Sequence, residues 1–173
     1  MSQSLSSSGL LPATPASFRA AMGAFATGVA VVTTEWQGAR YGMTINSLTS
    51  VSLEPCLLLV CLRQGSITGN AIQGSGAFAV NLLAADQEAL ARRFVGPLGE
   101  RFMGLPPSSC DNGQPLLPGC VAQLSCRLHA THPGGDHDIL VGEVTSCTTP
   151  EGAPLVFHRG RFGRFQPEAV VQG

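Results

Sequence analysis

Short apolar runs separated by still shorter turns limit what this chain can fold into. GVAVVTT (28–34), CLLLVCL (56–62) and AFAVNLLA (77–84) are bounded by turn residues and rich in strand formers. EWQGAR (35–40) joins the first run to YGMTINSLTSVS (41–52), with Gly38 at its turn. CVAQLSCRLHATH (120–132), HDILVGEVTSCTT (137–149) and APLVFHRGRF (153–162) continue the pattern. Gly134, Gly135 and Asp136 join the first two of these as a tight turn. Strands linked so briefly pair antiparallel, because a parallel return needs a crossover of a dozen or more residues. The pattern predicts six or seven strands and a few short helices, a mainly β chain tending to close into a barrel.

Two or three helices are expected. Thr14 caps the first and Pro15 opens it, with Phe18, Ala21, Met22 and Phe25 on one face and Gly28 as its terminator. Ser66 caps a second, with Ile67 and Ile72 facing inward. DQEALARRFVG (86–96) is amphipathic and ends near Gly96; residues 96–118, rich in Gly and Pro, read as a long loop. The expected organisation is a disordered arm over 1–16, one domain over 17–167 and a tail over 168–173.

Charged residues make up only 12% of the chain, about half the usual share. A partner subunit covering part of the surface would account for that. A formal net charge of -1 argues against nucleic acid or an anionic membrane as partner. No run approaches the ~18 apolar residues of a membrane span, and the N-terminus lacks a secretory pattern. The expected location is the cytoplasm, with Cys56, Cys61, Cys110, Cys120, Cys126 and Cys147 as buried free thiols.

Residues 42–52, GMTINSLTSVS, carry no charge. Alternation puts Gly42, Thr44, Asn46, Ser50 and Ser52 on one face and Met43, Ile45 and Val51 on the other. One face can enter a core while the other offers hydroxyls, an amide and bare main chain to a flat ligand. A Ser/Thr-rich edge strand with local hydrogen bonds would look the same. RQGSIT (63–68) offers Arg63, Gly65, Ser66 and Thr68 at a helix start, which suits a phosphate or an ordinary capped helix. In GGDHDI (134–139), Asp136 beside His137 could hold an imidazole over a pocket or form a polar hairpin tip. Arg159, Arg161 and Phe162 are candidates for a pocket rim, and Arg164 joins the two arginines as a candidate for a 2′-phosphate. His129, His132 and His137 fit no zinc spacing, so no metal is expected, and neither nucleotide-cradling glycine motif is present.

Taken together, FRAAMGAFATGVAVVTT (18–34), GMTINSLTSVSLEP (42–55), the S-x-T segment from Ser66 that ends in Ile72, GAFAVNLLAADQEALARRF (76–94), GGDHDILVGEV (134–144) and PLVFHRGRF (154–162) resemble the short-chain flavin reductase family, the reductase partners of two-component flavin-dependent monooxygenases. The resemblance implies an antiparallel six-stranded Greek-key split β-barrel of the FMN-binding type, usually a homodimer. It implies hydride transfer from NADH, or NADPH, to FMN or FAD, with reduced flavin passed to a separate monooxygenase. The implied flavin residues are Gly42, Met43, Thr44, Ile45, Asn46, Ser47, Ser50, Gly65, Ser66 and Thr68. Asp136, His137, Arg161 and Phe162 would meet the nicotinamide nucleotide, with His137 positioning the nicotinamide. The rival expectations are a flavin-containing reductase of a ferric, corrinoid or organic acceptor, and a non-catalytic flavin-binding electron carrier.

Overall fold

The computed structural model describes residues 12–167. Ten strands and three α-helices follow in the order α1 (Pro15–Gly23), β1 (Thr27–Gly28), β2 (Ala30–Trp36), β3 (Ala39–Ile45), β4 (Thr49–Leu53), β5 (Cys56–Arg63), α2 (Ile67–Ser75), β6 (Ala77–Leu82), α3 (Glu88–Arg93), β7 (Ala122–Gly134), β8 (His137–Thr148), β9 (Leu155–His158) and β10 (Arg161–Arg164). The mainly β expectation agrees with this; the six-stranded barrel does not. Seven strands form one sheet in the order β3-β2-β6-β7-β8-β5-β4, and β1-β9-β10 form another.

Two expected strands are each divided. YGMTINSLTSVS breaks at residues 46–48 into β3 and β4. APLVFHRGRF folds back at Arg159 and Gly160, both at positive φ, into the β9–β10 hairpin. The expected first helix also ends early. The Thr14–Ser17 capping box starts it as anticipated, but it stops at Gly23, and Gly28 lies in β1. Ile72 is buried as expected, whereas Ile67 is 53% exposed. Residues 1–11 of the expected arm and the 168–173 tail lie outside the described residues.

The strand order dictates a curled sheet. β3 and β4 occupy opposite edges, yet only residues 46–48 separate them. In a flat seven-stranded sheet those edges would stand ~29 Å apart. Four Cα steps reach only ~15 Å. The sheet must therefore curl until its edges approach, and Val32, Ile45, Leu58, Val60, Leu62, Ile72, Phe78, Val80, Cys126 and Leu140 form one core within it. The β3 and β4 edges are not paired with each other, so the ladder stays open along this seam. A second core, with Val31, Leu83, Phe94, Leu117 and Leu155, lies on the other face of β2, under α3 and the small sheet.

The long loop before β7 is fastened by buried polar groups. The Asn81 side chain donates to Val31 O and Thr33 Oγ1 and accepts from Leu117 N and Gln123 Nε2. Thr33 Oγ1 donates to Pro115 O, and Thr34 Oγ1 donates to Gln114 Oε1. Each buried polar atom here has a partner, which is what makes its burial tolerable.

Candidate functional site at the seam of the sheet

β3 forms one side of the seam. Met43 and Ile45 turn into the first core, while the opposite face of the strand lies under α3. A Cβ on Gly42 would stand 2.8 Å from the Phe94 ring and 3.0 Å from Val32 O, so only glycine fits. Gly42 O accepts from Arg101 Nη1 and thus points away from β2. Ladder alternation then places the main-chain groups of Thr44 on that same free edge, and turns those of Met43 and Ile45 toward β2.

The hydroxyls of this stretch are largely committed. Thr44 Oγ1 donates to Ala91 O at 2.7 Å. Ser47 Oγ donates to Cys61 O at 2.9 Å and accepts from Cys61 N at 3.0 Å. Ser47 falls opposite Cys61 if the β4–β5 register is continued, so its side chain substitutes for a ladder rung. Asn46 is different: it is exposed, and its amide has no intramolecular partner among the described residues. Ser50 is exposed on β4, across the seam, beside a register shift between Ser50 and Ser52.

The RQGSIT loop and the GGDHDI turn are brought together. Arg63 pairs with His137 in the β5–β8 ladder, and Gln64 N donates to Asp136 O at 3.0 Å. His137 Nδ1 lies 2.8 Å from Asp136 Oδ1. That hydrogen bond, with the charge of His137, holds the Asp136 carboxyl below its ordinary range. Ser66 Oγ caps α2 by accepting from Gly69 N, and Thr68 is buried. Gly65, at φ 70°, has open space beside it.

A third group meets the seam at Asn46. Asn46 lines a cleft of about 900 Å³ between α1 and the β9–β10 turn, together with Arg19, Met22, Phe25, Phe157 and Arg159. Phe162 is half-buried against Phe157, with ring centroids 5.3 Å apart and the Arg92 guanidinium 5.0 Å from its own centroid. Arg161 lines a smaller cavity of about 410 Å³ with His158, Arg159 and Phe162, so Arg159 borders both spaces.

Arg19 and Arg101 were not among the expected site residues. Arg19 lies one residue beyond the Phe18 of the apolar helix pattern. The signal for Arg101 is fainter: its only cue is a cation within a Gly/Pro-rich loop. Its guanidinium donates to Gly96 O and Gly42 O, and burial lowers its pKa. The cysteines also depart from expectation. All six are free, but Cys56 and Cys147 are exposed. Burial pushes the Cys126 thiol up to about 12 and Cys120 to about 11, far from thiolate chemistry.

A curled antiparallel sheet with an open seam, a free main-chain edge and an adjoining cleft defines a mainly β protein suited to a flat polar ligand. Comparison with known proteins is more specific. The flavin reductase like domain matches residues 22–166, and the chain belongs to that family. It is 44% identical over 149 residues to the FMN reductase (NADH) SmoA of Agrobacterium fabrum, covering 86% of this chain and 85% of that one. It is 37% identical over 158 residues to the flavin-dependent monooxygenase reductase subunit HsaB of Rhodococcus jostii, covering 91% and 81%. The NADH:FAD oxidoreductase SgcE6 of Streptomyces globisporus, solved with NAD and FAD fragments, superposes with a TM-score of 0.84 at 39% identity, covering 89% of this chain and 94% of that one.

Proposed function

We propose that this protein is an NAD(P)H:flavin oxidoreductase that reduces FMN or FAD with NADH and supplies reduced flavin to a partner monooxygenase. The observation that carries the reading is the uncharged run from Gly42 to Ser50. It is folded along the seam and continues, through Asn46, into a cleft large enough for a nucleotide ring system. The names of the relatives supply NADH, FMN, FAD and the monooxygenase.

The residues fit such ligands. The free edge at Thr44 and the Asn46 amide would meet the polar rim of the flavin, with Met43 and Ile45 supporting the strand from the core side. Gly65 would leave its main chain open to the flavin phosphate, beside Ser66 and Thr68. His137, oriented by Asp136, would position the nicotinamide, and Phe162 would add an aromatic wall. The bound nucleotides supply the hydride chemistry; the chain supplies orientation. No protein acid or base is needed for that step.

The curled sheet, open at the β3–β4 seam, supports reading the fold as a split barrel of the FMN-binding type, formed by one domain over 17–167. The homodimer reading rests on the sparse charge and on the β4 edge, where Val51 is 49% and Leu53 82% exposed. Six free thiols suit a reducing compartment such as the cytoplasm.

The test is NADH oxidation by purified protein, followed by near-ultraviolet absorbance, with and without FMN or FAD. Turnover that depends on added flavin is expected. Flavin binding without turnover on NADH or NADPH would replace the reductase with an electron carrier.

A further inference from the structure

The cleft between α1 and the β9–β10 turn has an electrostatic character that the flavin-facing run lacks. Arg19 stands on one wall and Arg159 on the other. No Asp or Glu lines the cleft among the described residues, and neither arginine has a carboxylate within ion-pair range there. Both are exposed and solvated, yet two cations bordering one space with no carboxylate among its lining offer a place to an anion.

Arg159 is also held in an unusual place. It is one of two non-glycine residues at positive φ among the described residues, at 48°. Its main-chain N–H donates to Gly23 O at 2.8 Å, which ties the turn to the end of α1 and sets the spacing of the two walls. The two-residue β9–β10 turn requires positive φ there, as the β2–β3 turn does of Gln37, so the hairpin fixes where the Arg159 side chain leaves the backbone. Meanwhile the RQGSIT loop has spent part of its phosphate-binding capacity, since the Ser66 hydroxyl caps α2 and Thr68 is buried.

We infer that Arg19 and Arg159 form a clamp for a phosphate group of a nucleotide substrate whose ring is directed toward Asn46 and the seam: the nicotinamide nucleotide where the flavin phosphate sits at Gly65–Thr68, or the flavin itself in place of that loop. This rests on the proposed reductase function. Guanidinium groups suit the role because their planar donor sets match phosphate oxygens.

The experiment uses Arg19→Gln and Arg159→Gly, the latter chosen because glycine keeps the turn geometry. Each variant is tested on two pairs of ligands. One pair is NADH against a benzyl dihydronicotinamide, which carries the ring without phosphates. The other is FMN against riboflavin, with equilibrium binding read by flavin fluorescence, so that no turnover is required. The expected result is a rise of about tenfold or more in KM or Kd for the phosphate-bearing member of one pair. Its phosphate-free counterpart should not change, and the pair that responds names the nucleotide. The clamp is overturned if neither pair responds, or if the phosphate-free ligand loses as much as its partner. Failure of the reductase reading is visible separately, as wild-type protein that oxidises neither donor in the presence of flavin.

Discussion

In sequence, the strand face over Gly42–Ser47 and the β7–β8 and β9–β10 turns, here called the rim, both looked like sets of ligand-binding side chains. Folded, they differ. In the first, the polar side chains are mostly turned to internal work: Gly42 makes room for Phe94, Thr44 bonds Ala91 O, and Ser47 replaces a ladder rung at Cys61. What remains for a ligand there is main chain and Asn46. On the turns, the His137 and Arg159 side chains keep hydrogen-bonding capacity or charge to spare, as does Arg19 across the cleft from Arg159. The strand is therefore a fixed surface, and the rim carries the adjustable chemistry. Substitutions on the strand should cost stability first, and those on the rim should cost ligand selectivity first.

Gly42→Val should separate the two most sharply. Its side chain would enter space already filled by the Phe94 ring and Val32 O, forcing α3 away from β3. A loss of about 3 kcal/mol, at the upper end of overpacking costs, is expected in urea unfolding. A variant as stable as wild type would mean that α3 moves freely over the strand. Ser47→Ala should cost less, about 2 kcal/mol, by leaving Cys61 N–H and C=O without their shared partner. Flavin affinity that falls while stability holds would reassign Ser47 from the fold to the ligand.

These strand assignments show where sequence reasoning reached and where it stopped. The alternation of Met43 and Ile45 against Gly42 and Thr44 was legible, because pleating alone sets it. What lies over the second face was not, since α3 is more than 40 residues away in the chain. Asn46 and Ser47 are turn-prone, but they sit in a run rich in Ser and Thr whose alternation continues on both sides, so the divided run still reads as one strand. The second half of the long β7–β8 hairpin and its Gly-Asp-His turn were readable from local chemistry. The tethering of the 105–118 loop by Asn81, Thr33 and Gln114 was not, because a buried amide in an apolar strand resembles a surface one until its partners arrive.

His137→Ala tests the rim. The side chain is 43% exposed and, among the described residues, bonded only to its neighbour Asp136, so stability should change by less than about 0.5 kcal/mol. The KM for NADH should rise about fivefold, the worth of one modest hydrogen bond, with flavin affinity unchanged. Equal loss of NADH use and flavin binding would move His137 into the same class as the strand residues.

Asp136→Asn should give the smallest effect, and its dependence on pH makes it informative. The hydrogen bond and charge of His137 lower the Asp136 pKa in the folded protein. An unfolded Asp titrates near ~3.9. Between the two values the unfolded chain binds more protons than the folded one, so folding gains stability as pH rises through this window. The contribution is present in full above the unfolded pKa and is lost as pH falls through the lower folded value. At 83% exposure the Asp136 carboxylate is well screened, so the gain is small. Wild type should therefore exceed Asp136→Asn slightly in thermal midpoint at neutral pH, and the two should converge in acid. Convergence is the discriminating result: a difference that persisted below the carboxyl range would come from the packing of the turn against Gln64 rather than from the charge that orients His137.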